Sequence, residues 1–418
     1  MRRRLVLGLG AGLLVAGCDA PARLASLPEK MRSHATFHGL PAGTRIVLDG
    51  SDDELLGRMA TEALRREVGH AEKTGVSELG PASYLAISGG GENGAYGAGL
   101  LTAWSETGTR PEFKGVSGVS TGALIAPFAF LGPAYDRQLE RFYTTIGARD
   151  VMVSRGLLSG VLGESLYDST PLLQLIRGVV TKEMVAAIAR EYTDKGRVLL
   201  IATTNLDVPV GVLWNIGAIA ASGNPDVPGL IAKILLASAS IPGAFPPVML
   251  DLEGGGERFQ EMHVDGGTVA QVVLYPPSFG GQDFLGDGSP QTARLRRLAV
   301  KRPRRLYVIR NARPGANLET VDRSTLKIAG RAVATLISSQ GIGDLYQLYV
   351  VAQRDGIDYN VSCIPASFTE KEREPFDTAY MNKLYKVGRR AIESGTAWSK
   401  YPPGYNPAPL SQTVRTAG

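Results

Sequence analysis

Three short stretches carry residue types and spacings that could do chemistry. "GGGENG" (89–94) places Gly89, Gly90 and Gly91 after the apolar run Tyr84–Ser88 and leads into a helical pattern that begins at Gly94. Strand, glycine loop and helix N-terminus together form a device for holding negative charge. "GVSTG" (118–122) presents Ser120 between Gly118 and Gly122, and "HVDGG" (263–267) presents Asp265 followed by Gly266 and Gly267. The first offers backbone amides and the second a hydroxyl nucleophile. The third offers a carboxylate whose glycine neighbours permit close approach to another loop.

The glycine loop admits two kinds of anion. Gly89-x-Gly91-x-x-Gly94 fits the dinucleotide spacing and sits between a strand and a helix pattern. Such a unit needs an acidic residue at the end of its second strand for the ribose hydroxyls. Glu112 lies before the second apolar run, and at its end stands the Gly118–Gly122 stretch instead. Gly118-x-Ser120-x-Gly122 has the pattern of a nucleophile elbow, a strand-to-helix turn too tight for side chains two before or two after the serine. An oxyanion formed during reaction then becomes the alternative to a pyrophosphate.

A serine hydroxyl needs a base. The histidines are His34, His38, His70 and His263, so only His263 follows Ser120. In the serine, acid, histidine order of α/β-hydrolases, His263 would need an acid between the two. The other candidate base is a carboxylate acting directly, and Asp265 supplies one. His263, two residues earlier on the same short run, reads as structural.

These residues must be positioned by regular elements. Strand-like runs cover 84–88, 114–118, 197–204, 212–216, 247–252, 306–310 and 358–364, with a further short run starting near Met262. Helical patterns cover 94–106, 121–131, 170–177, 182–192, 230–239, 324–355 (with a possible interruption) and 376–396. Strands alternating with helix-length patterns predict an α/β fold around a mostly parallel sheet. Before residue 82, Leu55, Leu56, Met59, Ala63 and Leu64 recur at helical spacing after an acidic start. Residues 18–81 therefore read as a tether and a small helical segment. The Gly- and Pro-rich stretch 274–291, with Phe279, Phe284 and Leu285, reads as a long loop, either plain or a lid. The run Arg294, Arg296, Arg297, Lys301, Arg302, Arg304, Arg305 reads either as a headgroup-facing patch or as a solvated helix and turn. Residues 397–418 read as a disordered tail.

The N-terminus "MRRRLVLGLGAGLLVAGCDA" has three arginines, then an apolar run from Leu5 to Val15 that is short for a bilayer span. Leu14-Val15-Ala16-Gly17-Cys18 resembles the bacterial lipoprotein signal. That resemblance implies a signal peptide at 1–17, lipidation of Cys18, and a lipid-anchored protein of the cell envelope. Two acyl chains anchor a protein far more stably than one. Cleavage there removes three of the 45 basic side chains and none of the 40 acids, so the formal charge of +5 falls towards balance. A nucleic-acid partner is not indicated. Cys363 is then the one cysteine beyond the lipid site, which leaves no intramolecular disulfide. No acidic or histidine cluster has metal-ligand spacing, so neither metal nor cofactor is expected. The sequence leaves the oligomeric state open.

Taken in order, "GGGENG", "GVSTG" and "DGG" resemble the pattern of the patatin-like phospholipases, and "ASASIPGAFPPV" (237–248) is similar to the segment that precedes that family's aspartate. The resemblance covers residues 82–273 well and extends more loosely to about 396. It implies a three-layer α/β sandwich over 82–396 and a Ser120–Asp265 dyad that cleaves carboxylic esters of membrane lipids. It also implies an oxyanion site on the Gly90–Gly91 amides, with Gly89 and Gly94 completing the loop. The family usually carries Arg or Lys where this chain has Asn93, beside Glu92. Two alternatives share the same residues: an inactive lipid-binding envelope lipoprotein, and an acyltransferase.

Overall fold

The computed structural model describes residues 23–28, 30–31, 37, 40–41, 43–156, 163–278, 293–295, 297–298, 302–315 and 320–407. Its principal elements are β1 (Arg45–Val47), α1 (Asp53–Lys73), β2 (Ala82–Ile87), α2 (Gly94–Glu106), β3 (Phe113–Val119) and α3 (Thr121–Leu131). Then come α4 (Asp136–Thr144), α5 (Thr170–Val179), α6 (Lys182–Lys195), β4 (Val198–Asn205), β5 (Val210–Asn215) and α7 (Val227–Ser238). The chain continues through β6 (Val248–Gly254), β7 (Glu257–Asp265), β8 (Arg304–Arg310), α8 (Thr325–Arg354), β9 (Asp358–Cys363) and α9 (Thr378–Glu393).

Apolar residues fill these strands almost continuously, as expected for strands covered on both faces. Side chains alternate with the strand period of two. Leu85, Ile87, Val116, Leu199, Ile201 and Trp214 point to one face, against α2, α3, α7 and α9. Ala86, Leu306 and Val308 meet α8 on the other face, while Leu200, Ala202 and Leu213 meet Leu56 of α1. The strand order is β1-β5-β4-β3-β2-β8-β9, and β6 and β7 join through β7 to β4. Strands β4, β3, β2, β8 and β9 run parallel, while β5 is antiparallel to β4 and to β1. This is a three-layer α/β sandwich with a mostly parallel central sheet.

The strand β7 decides the site. It leaves β6 through a two-residue turn, Gly255 and Gly256, both at positive φ (59° and 84°), a conformation glycine reaches without strain. Its far end pairs with β4, placing Asp265 opposite Thr203. The same flank of β4 holds β3 one residue earlier, with Val119 opposite Ala202. Strands β3 and β7 thus arrive head-on along one edge of β4. This nine-residue strand is longer than the short run near Met262 suggested, because Glu257, Arg258, Gln260 and Glu261 interrupt its apolar pattern.

Residues before 82 are more integral than a tether. The three residues of β1 hydrogen-bond along β5, and Leu27, Phe37 and Leu40 are buried in the main core. A three-residue strand offers too few positions for a period to show. Part of the presumed tail is also ordered. Ser399 bridges to Val361, and Tyr401 stacks on Tyr405 with centroids 5.6 Å apart. In the basic run, Arg294 pairs with Glu72 and Arg302 with Glu67, each at 2.8 Å, and Arg304 donates to the Asp355 carbonyl. These arginines act as structural partners. Helix α8 is uninterrupted. The signal segment with Cys18, the loop residues Phe279, Phe284 and Leu285, and residues 408–418 lie outside the described residues.

Candidate active site

Strand β3 ends at Val119 and helix α3 begins at Thr121, so Ser120 makes the whole turn. Its φ of 55° and ψ of −124° are strained for a residue with a side chain, and such strain concentrates at functional sites. The turn works only with glycine on either side. A Cβ at Gly118 would lie 2.3 Å from the Gly122 carbonyl oxygen, and one at Gly122 would lie 2.2 Å from that of Ile87. The Ser120 amide donates to Ser238 Oγ at 3.0 Å, and Ser238 donates to the Ala202 carbonyl at 2.6 Å. The "ASAS" segment therefore braces the elbow.

Ser120 and Asp265 are both buried, and the Ser120 side chain is near enough to the Asp265 carboxyl to favour its ionised form. Burial pushes the Asp265 pKa up to about 7, against the opposing pull of Ser120 and of the Gly267 amide, which donates to Oδ1 at 2.7 Å. A carboxyl titrating there is poised to accept and return a proton near neutral pH. The Asp265 amide is held by the Ser240 carbonyl at 2.9 Å. A Cβ at Gly266 would lie 2.6 Å from the Ala202 carbonyl oxygen, which explains how close the loop comes to β4.

His263 is elsewhere engaged. Trp214 Nε1 donates to Thr203 Oγ1 at 2.8 Å, so the Thr203 proton is free to go to His263 Nδ1 at 2.9 Å. Nε2 then donates to Glu261 at 3.1 Å, and Arg45 pairs with the same carboxylate at 2.9 Å. Burial lowers the imidazole's pKa and keeps it neutral. It is a structural side chain.

In the glycine loop, Gly90 has φ 152°, and a Cβ there would strike the Asn311 carbonyl oxygen at 2.3 Å. Gly91 opens a short 3-10 turn and lines the pocket beside Ser120. The amides at the start of such a turn have no acceptor within it. Gly89 and Gly94, named with the oxyanion loop, have amides that are already engaged. The Gly89 amide donates to the Gln271 carbonyl at 3.1 Å, and the Gly94 amide to carbonyls of the turn itself. Their contribution is steric. A Cβ at Gly89 would lie 3.2 Å from Ser120 Cβ, and one at Gly94 would lie 2.4 Å from Thr121 Oγ1. Asn93 accepts a hydrogen bond from Tyr380 at 2.6 Å, tying the turn to α9. Burial, followed by repulsion from Glu372, raises the Glu92 pKa.

Several site residues carried no sequence signal. Gln271 joins the two loops: its carbonyl accepts from Gly89, and its Nε2 donates to the Gly267 carbonyl at 2.8 Å. Asp344 of α8 in turn accepts from the Gln271 amide at 2.6 Å. Neither lies in a motif, and Asp344 is 73 residues from its partner. Ser120 opens onto a narrow apolar pocket whose walls include Leu124, Phe142, Ile146, Phe245 and Phe376. Phe376 has φ 57°, an outlier for so bulky a residue. Among the described residues, no three His, Cys, Asp or Glu side chains converge as metal ligands.

The structure brings a buried serine on a strained elbow, a buried carboxyl and a glycine turn, one from each of the three motifs, to one place. Residues 85–276 match the family model of the patatin-like phospholipases. This stretch is a patatin-like phospholipase domain. At the level of that family, the domain is a lipid acyl hydrolase. Both Ser120 and Asp265 fall within the matched stretch, whereas Asn311, Asp344 and Phe376 lie beyond it. Among solved structures, VipD from Legionella pneumophila is similar to this chain at 11% identity and a TM-score of 0.34, over 76% of this chain and 67% of that one. Curated proteins gave no match.

Proposed function

We propose that the patatin-like domain hydrolyses carboxylic esters of membrane lipids through Ser120 and Asp265. The observation that carries this reading is that β3 and β7 deliver Ser120 and a buried Asp265 to one point on β4, where burial raises the Asp265 pKa to about 7. Ser120 Oγ attacks the ester carbonyl carbon while Asp265 takes the hydroxyl proton. The negative oxygen of the tetrahedral intermediate accepts from the Gly90 and Gly91 amides, with the Thr121 amide at the head of α3 as a further donor. Each such donor lowers the barrier by about 3–4 kcal/mol. Collapse expels the alcohol, which takes its proton from Asp265. Water then loses a proton to Asp265 and attacks the acyl-serine, and Asp265 passes that proton to the departing Ser120 Oγ, freeing the fatty acid and restoring the hydroxyl.

The apolar walls around Ser120 support a fatty acyl chain as the bound part of the substrate. Of the phospholipase types, the reading includes phospholipase A and lysophospholipase activity, since both present an acyl ester to one serine. Lipidation at Cys18 would hold the enzyme at a membrane of the cell envelope and its active site near an insoluble substrate. The test is turnover of phospholipid and lysophospholipid panels by Ser120→Ala and Asp265→Asn. Each variant should lose activity by at least about a thousandfold. Wild-type rates in either folded variant would refute the assignment.

A further inference from the structure

Helix α8 runs for 30 residues, but its two halves live in different surroundings. The second half is built into the domain, with Leu345, Leu348 and Ala352 in the core behind β8 and β9. The first half stands away from it. Thr325, residues 327–330, residues 332–336, Ser338 and Ser339 are all exposed. Among them Ile328 is 54%, Val333 50% and Leu336 69% exposed. Ile328, Ala329, Ala332, Val333 and Leu336 recur at helical spacing and so form one apolar stripe. A bare helix of about 15 residues is marginal in water, so such a stripe needs a cover.

The charges on the rest of this half indicate which cover. Between Asp322 and Asp344 the sequence has no acidic residue, while Arg323, Lys327 and Arg331 fall in that span. On this helix Arg331 borders the stripe on one side and Lys327 lies across from it, and a helix apolar on one face and cationic on the other suits an anionic lipid interface. The stripe is also rigidly connected to the active site. Further along the same helix, Gln340 donates to the Val269 carbonyl, and Asp344 holds the Gln271 amide. No helix among the described residues is long and apolar enough to cross a membrane, so this contact would be interfacial.

We propose that the first half of α8, through Ile328, Val333, Leu336, Lys327 and Arg331, docks the protein on an anionic bilayer and brings the Ser120 pocket to the lipid surface. The inference rests on the reading of the site as a lipid acyl hydrolase and extends it to a second membrane contact, independent of Cys18. The experiment places a reporter on the helix of the full chain and adds phosphatidylcholine–phosphatidylglycerol vesicles that contain brominated lipid. Leu336→Trp should be quenched. Val76→Trp, at a site 51% exposed beyond the C-terminus of α1, should not. Adding Lys327→Glu and Arg331→Glu should weaken the quenching at least tenfold, as should omission of phosphatidylglycerol. Ile328→Glu with Leu336→Glu should reduce turnover of vesicle lipid at least tenfold and leave turnover of a soluble short-chain ester unchanged. Absence of quenching at 336, or equal quenching at 76, would overturn the proposal. So would lipid-free self-association of the parent that Leu336→Glu abolishes, since the cover would then be a second copy. A protein that is quenched at 336 but does not turn over soluble ester would instead count against the catalytic reading alone.

Discussion

Ser120 and Asp265 meet because β3 and β7 share one flank of β4 in consecutive register, Val119 opposite Ala202 and Asp265 opposite Thr203. The nucleophile comes from a parallel strand and the base from an antiparallel one, so their chain ends converge from opposite directions. Separated by well over a hundred residues in sequence, the two groups are neighbours along a single backbone. Rigid strands of this kind fix reacting groups better than free loops do.

The elevated pKa of Asp265 sets the pH dependence of activity. The carboxylate form is the base, so kcat/KM should rise with pH through about 7 and level off above it. A profile that stays flat across that region, measured with a soluble ester, would remove Asp265 from the base role.

The same carboxyl weakens the fold at high pH. Its folded-state pKa lies above the ordinary value of 3.8, so the folded protein binds the proton more tightly. Stability from this group is therefore full at low pH and declines as pH rises from about 4 towards 7. Asp265→Asn should raise the thermal midpoint at pH 8, by a free energy on the order of a few kcal/mol, and the gain should shrink at pH 5. An equal or lower midpoint for the variant at pH 8 would contradict this assignment.

Gln271 and Asp344 act as positioning residues for the two loops. Gln271→Ala or Asp344→Asn should lower kcat roughly tenfold to a hundredfold with little change in KM, because the loops lose register but the acyl pocket is untouched. A rise in KM at constant kcat would show that they contribute to binding instead.

Phe376 lines the acyl pocket in a left-handed conformation. Phe376→Ala opens the pocket and keeps the backbone strain, whereas Phe376→Gly relieves both. Both should shift ester preference towards longer acyl chains, and the glycine variant should be the more thermostable of the two. Identical chain-length profiles in wild type and variants would remove Phe376 from the pocket's selectivity.

Much of the site was legible because its constraints are local. Gly118 and Gly122 are dictated by contacts within one turn, so their spacing shows in any chain that makes it. The parallel strands were legible as buried apolar runs. What escaped was set by distant partners or by too few residues. Gln271 acquires its role only when Gly89 and Gly267 are near, and Asp344 only when α8 folds back onto Gln271. Strand β1 is three residues long, and the polar start of β7 masked its period. The helical halves of α8 read alike in sequence, because its exposure depends on what does not pack there. Of the glycine loop, the sequence located the turn but not the acceptor that occupies the Gly89 amide, because Gln271 reaches it only in the folded chain.

The central claim is that Ser120 is activated by Asp265, and covalent labelling tests it most directly. A fluorophosphonate probe with mass-spectrometric mapping should place a single adduct on Ser120, formed far faster in the wild type than in Asp265→Asn. An adduct on another residue, or equal labelling rates in the two folded proteins, would contradict the account.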